Sequence, residues 1–166
     1  MDIFCEQLVS IKRSPAKNAL MALSVIVTAA VCVLLFIYSV KYYMLIFLIV
    51  ALIYGEIKLL GTFRVEYEYI ITNGTVDIDK ITAKSSRKRV FSFECKDIIR
   101  TARINDKGIL SAANQSYAFG NEGKESFYML VNKGSAKAVL LIEPQQKIIN
   151  AIKECTPKNI RNELFV

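Results

Sequence analysis

The chain has 166 residues, 53% of them hydrophobic, and a net charge of +7. It contains no histidine, which excludes H-E-x-x-H zinc chemistry and every mechanism that needs an imidazole base. Cys5, Cys32, Cys95 and Cys155 are dispersed without a C-x-x-C pair, so they read as reduced, small apolar residues rather than metal ligands or disulfide partners.

At the start of the chain, Ile3, Phe4, Leu8 and Ile11 approximate one helical face, with Glu6, Gln7, Lys12 and Arg13 on the other. The pattern predicts an interfacial amphipathic helix over residues 1–17, interrupted by Pro15. No charge occurs between Lys17 and Lys41, and a second apolar run extends to about Leu60. Helices over Ala19–Val40 and Tyr42–Leu60 are close to the length needed to cross a hydrocarbon core of about 30 Å. The first run is too long for a signal-peptide core and no A-x-A site follows it, so it is expected to stay as an anchor.

Tyr38, Tyr42 and Tyr43 surround Lys41, as at a membrane interface, which places a turn there and makes residues 18–61 a two-helix transmembrane hairpin. Lys12, Arg13 and Lys17 before the first span, with Lys58 and Arg64 after the second, outnumber Lys41 in the turn. The positive-inside rule therefore puts both termini in the cytoplasm. Glu56 reads as a solvated residue at headgroup level.

From Thr62 the period changes to two. Phe63, Val65, Tyr67, Tyr69 and Ile71 alternate with polar residues, and Asn73-Gly74 signals a type I′ turn into a second strand over Thr75–Asp79. A basic turn, Lys84 to Arg89, leads to a strand at Val90–Cys95, and Asp97–Ile104 forms the next. Asn105–Lys124 reads as a loop with an apolar island at Tyr117–Phe119 that suits an edge strand. Ser126–Asn132 and Lys137–Glu143 form another hairpin, and Pro144 opens an amphipathic helix faced by Ile148, Ile149, Ile152 and Cys155. A weakly helical segment closes the chain at Lys158–Phe165.

Six or seven antiparallel strands followed by one helix match a pleckstrin-homology-like (PH-like) barrel or sandwich over residues 62–166, with the C-terminal helix capping one open end. The stretch Tyr67-Glu68-Tyr69-Ile70-Ile71-Thr72-Asn73-Gly74, after a two-span hairpin, resembles bacterial PH-like membrane proteins with a strand ending in Y-x-I-T-(D/N)-G. The likeness extends to Met1–Val9, to Val65–Lys96 and to Leu141–Lys153, and is to two-span proteins of Gram-positive, clostridia-type bacteria. That group carries no established activity to this chain, so the resemblance implies an architecture and not a function.

Of the net charge, +2 falls in residues 1–61 and +5 in the remainder, so the tethered domain is basic and drawn to anionic lipid. Lys84, Arg87, Lys88 and Arg89, with Ser85 and Ser86, are the candidate site for an anionic headgroup or a protein partner. A solvated turn is the plainer reading of the same residues. Asp77 with Asp79, and Glu66 with Glu68, share strand faces, but no nucleophile motif converges on them. Gly120-Asn121-Glu122-Gly123 lacks the lysine and the strand-to-helix context of a phosphate loop.

The sequence thus predicts a non-enzymatic, membrane-anchored PH-like module without cofactor or metal, binding a protein, a peptide or anionic lipid at the inner leaflet. Nucleic acid is not an expected partner. Self-association through the spans, where Ala29, Ala30 and Ala51 permit close packing, is a further expectation. The competing reading is an accessory subunit of a membrane transporter or envelope enzyme.

Overall fold

The computed structural model describes residues 3–165, and the chain divides into two compact units. One comprises residues 12–65 and 82–86; the other comprises residues 1–11, 66–81 and 87–166.

The first unit is the helical hairpin. Helix α1 (Pro15–Ser39) starts with Pro15 in its first turn, where a missing N–H costs nothing, and Ser14 caps it by accepting from the Lys17 amide. Helix α2 (Leu45–Thr62) returns antiparallel after a turn in which Lys41 lies over the Tyr42 ring. At about 1.5 Å per residue the helices measure about 37 and 27 Å, so both are long and apolar enough to cross a membrane. Their outward faces carry Leu23, Ile26, Phe36, Phe47 and Ile57 in the open.

Between the helices, Ser24 Oγ and Thr28 Oγ1 lie 2.9 and 3.1 Å from the two carboxylate oxygens of Glu56. Glu56 is therefore an interhelical acceptor and not the solvated residue its position near Lys58 suggests. The two hydroxyls are four residues apart and share one face of α1, a relation invisible until α2 packs against it.

The second unit is a sandwich of two four-stranded sheets. Strands β1 (Phe4–Ser10), β2 (Val65–Thr72), β3 (Thr75–Thr82) and β4 (Ser86–Glu94) form one sheet in that order. Strands β5 (Ile98–Arg103), β6 (Gln115–Ala118), β7 (Phe127–Lys133) and β8 (Ala136–Ile142) form the other, ordered β5-β7-β8-β6. Helix α3 (Gln146–Cys155) follows, then the single turn α4 (Lys158–Arg161). The β2–β3 turn is as predicted: Asn73 and Gly74 have φ of 46° and 92°, the signs a type I′ turn requires. The apolar island at 117–119 contributes β6, whose pairing with β8 is parallel, so the second sheet is mixed.

Two sequence-based expectations fail here. The predicted N-terminal helix is strand β1, antiparallel to β2 with Cys5 opposite Ile71, Gln7 opposite Tyr69 and Val9 opposite Tyr67; Met1 and Asp2 lie outside the described residues. Cys5, Gln7 and Val9 are buried while their neighbours face outward, the strand period of two. Buried Gln7 misled the reading; its amide donates to the Glu143 carbonyl at 2.9 Å and accepts from the Gln145 N–H at 2.8 Å. The cysteine reading fails for two of the four: Cys5 and Cys32 are free, but Cys95, beyond β4, and Cys155, ending α3, form a disulfide with Cα atoms 5.8 Å apart. Docking of α3 brings together two residues separated by 60 positions, which spacing alone does not reveal.

Ile71, Ile78, Met129, Val131 and Leu140 fill the space between the sheets, and Ile148, Ala151 and Ile152 of α3 close it. The outer face of the second sheet is also covered: Tyr128, Leu130, Val139 and Leu141 pack under Ile109 of the 105–114 segment. That explains why β7 and β8 read as continuous apolar runs.

Candidate functional site

The four predicted cations do not form one turn. The β3–β4 connection is short, with Ala83 and Lys84 at φ of 54° and 59°, and β4 already begins at Ser86. Arg87, Lys88 and Arg89 are strand residues on alternate faces, in place of the solvated turn expected of them.

Two of the three are committed to carboxylates. Arg87 pairs with Glu68 of β2. Arg89 bridges two acids of β3, with Nη1 2.9 Å from Asp77 and Nε 3.1 Å from buried Asp79. The shared-face pair Asp77 and Asp79 thus serves as a cradle for one guanidinium, a fork-shaped donor suited to that geometry. Glu66 accepts from Ser10 Oγ across the β1–β2 pair. Lys88 is exposed and has no carboxylate partner among the described residues.

Lys84 belongs to the helical unit, where it enters a different constellation. A pocket of about 650 Å³ is lined by Arg13, Lys58, Arg64 and Lys84, with no Asp or Glu among its lining residues. Arg13 immediately precedes the cap of α1, Lys58 lies in the last turns of α2, and Arg64 follows that helix. The turn carrying Lys84 is tied down by the Ala83 amide, which donates to the Arg64 carbonyl at 3.2 Å, and by Ser85 N–H to Thr82 O at 3.2 Å.

The floor of the pocket is apolar, formed by Met21, Ile57 and Leu60 of the hairpin. Thr62 lines it too, but its hydroxyl donates to the Leu59 carbonyl at 2.7 Å, leaving Ser85 as the hydroxyl donor free to turn inward. Among the described residues Arg13, Arg64 and Lys84 have no ion-pair partner, and Lys58 lies over the Tyr54 ring at 5.6 Å. The adjacent ends of antiparallel helices have opposite dipole signs, so their fields largely cancel and the side chains set the potential. Chemically, the lining combines four cationic side chains with apolar ones, a set suited to an anion that carries an apolar group.

Sequence reasoning used Arg13, Lys58 and Arg64 only to orient the spans. The signal for the pocket was present in the same residues, since the start of one span and the end of the next must meet in an antiparallel hairpin. Nothing in the local sequence places Lys84 beside them. Among the described residues no group of His, Cys, Asp and Glu is arranged to hold a metal ion.

A two-sheet sandwich closed by a C-terminal helix is the architecture of a PH-like domain, and this chain carries it together with two helices long and apolar enough to cross a membrane. The chain belongs to the family described as Bacterial PH-like domain (DUF6106), whose model matches residues 1–162 and whose function is unknown. Comparison with curated proteins and with solved structures returned no match.

Proposed function

We propose that the chain is a membrane-mounted, non-enzymatic recognition module that holds an anionic lipid headgroup at the inner leaflet. One observation carries the reading: four cations without an opposing carboxylate surround a pocket with an apolar floor, at the end of a hairpin suited to a bilayer. Unpaired like charges repel and are costly to hold together without a counter-charge, and a phosphate supplies one. The basic flanks of the hairpin favour the cytoplasmic side. In this account Arg87 and Arg89 are structural, and Lys88 adds diffuse attraction to the surface.

The test is lipid retention. Full-length protein extracted in mild detergent is expected to keep bound phospholipid, measured as phosphorus per chain, and the pair Arg64→Glu with Lys84→Glu should lose most of it. Retention unchanged by the double charge reversal would sink the proposal. An accessory-subunit role draws instead on the wide apolar faces of α1 and α2; crosslinking within the membrane followed by purification would then capture a stoichiometric integral membrane partner through the helices.

A further inference from the structure

Resting on that reading, we infer that the pocket selects a lipid whose headgroup carries at least two negative charges, as a phosphomonoester or diphosphate does, over a singly charged phosphodiester. Charge matching favours such a headgroup. Arg13, Lys58, Arg64 and Lys84 bring four positive charges to one pocket, and no lining carboxylate offsets any of them. A phosphodiester would neutralise one and leave three facing each other. A phosphomonoester carries about −1.5 to −2 near neutral pH and presents three strong acceptor oxygens.

The donor set fits such a headgroup. Arg13 and Arg64 supply guanidinium forks for two-point contact with phosphate oxygens, while Lys58 and Lys84 act as compact point charges. The Ser85 hydroxyl sits on the same turn as Lys84, and that turn is fixed by the Ala83 to Arg64 hydrogen bond, so the backbone that carries both residues is in place before a ligand arrives. The floor of Met21, Ile57 and Leu60 distinguishes a lipid from a soluble phosphate, because it offers an apolar path from the headgroup onto the hairpin surface. The 650 Å³ volume exceeds what a bare phosphate would fill.

The experiment uses full-length protein in neutral-lipid nanodiscs doped with phosphatidic acid or with phosphatidylglycerol, the doping adjusted so that total surface charge is equal. Phosphatidic acid is expected to be retained about tenfold more tightly, as charge-assisted multipoint contacts predict. The preference should vanish in Arg64→Gln with Lys84→Gln and persist in Lys88→Gln, with the thermal unfolding temperature measured in each variant to confirm the fold. Equal retention of the two lipids overturns the charge-matching inference while leaving anion recognition standing. Retention of neither overturns both. Displacement of phosphatidic acid by equimolar inorganic pyrophosphate would show that the apolar floor contributes nothing and overturns the assignment of a lipid.

Discussion

The amide of Ala83 donates to the carbonyl of Arg64 at 3.2 Å, fastening the β3–β4 turn to the chain that leaves α2. It does so at a conformational cost, because Ala83 and Lys84 both occupy the left-handed region without being glycine. Each such residue costs about 1–2 kcal/mol. Strain of this kind persists only where surrounding contacts over-determine it, and it clusters at binding sites.

Stability and binding should therefore separate at Lys84. Replacing it with glycine, Lys84→Gly, relieves the left-handed strain at some cost in chain entropy, for a net gain of up to about 1 kcal/mol. The same change removes a pocket cation. Thermal unfolding of the detergent-solubilised variant should occur at or above the wild-type temperature while its bound lipid falls; loss of both together would mean that the lysine serves the fold.

Gln7 is the polar clasp of the sandwich. Its amide satisfies the Glu143 carbonyl and the Gln145 N–H at the entrance to α3, and the side chain is buried. Gln7→Leu strands both groups, at about 1–3 kcal/mol each. A stability loss of roughly 2–6 kcal/mol in denaturant titration is expected.

The Cys95–Cys155 disulfide closes a separation of 60 residues and staples α3 to the end of β4. Cys155→Ser should lower stability by about 2–4 kcal/mol under oxidising conditions and change little under reducing ones. A closed bridge belongs to an oxidising compartment, so its state in acid-trapped cells reports the orientation: alkylatable thiols at both positions go with the cytoplasmic placement proposed above. A bridge already closed in trapped cells would place this unit on the opposite side of the membrane.

Tyr69 links the two sheets by donating from its hydroxyl to the Phe119 carbonyl at 2.9 Å and accepting from the Glu143 N–H at 3.2 Å. Burial raises its pKa well above the ordinary tyrosine value of 10.0. The folded state thus holds the phenol proton more tightly than the unfolded state, so this contribution is complete below pH 10 and is lost as pH rises toward the folded value. Wild-type stability should fall steeply in that alkaline window, and Tyr69→Phe, less stable at neutral pH, should show a shallower decline.

The legible parts of this fold were those written in local pattern. The uncharged run after Lys17, the alternation through Tyr67, Tyr69 and Ile71, the Asn73-Gly74 turn and the apolar face of Ile148 and Ile152 each predicted the element found there. Failures arose where a partner distant in sequence decides. The segment Phe4–Ser10 fits a helical face as well as a strand, and only the free edge of β2 selects the strand. In sequence Arg87 and Arg89 look available, because their partners Glu68, Asp77 and Asp79 lie on earlier strands that only the β2-β3-β4 order brings alongside. The pocket is half-legible: the hairpin implies that Arg13 and Lys58 meet, but Lys84 joins them through a turn fastened by the Ala83 to Arg64 backbone hydrogen bond, which local sequence does not reveal.

In the proposed function an anionic headgroup sits among Arg13, Lys58, Arg64 and Lys84. Photocrosslinking with a phosphatidic acid analogue bearing a diazirine near its headgroup tests it most directly. Peptide mapping is predicted to place the label on segments containing Arg13, Lys58 to Arg64 and Ala83 to Ser85, with labelling reduced by unlabelled phosphatidic acid. Label confined to Arg87–Arg89, or spread along the hairpin no more than with a neutral analogue, would contradict the account.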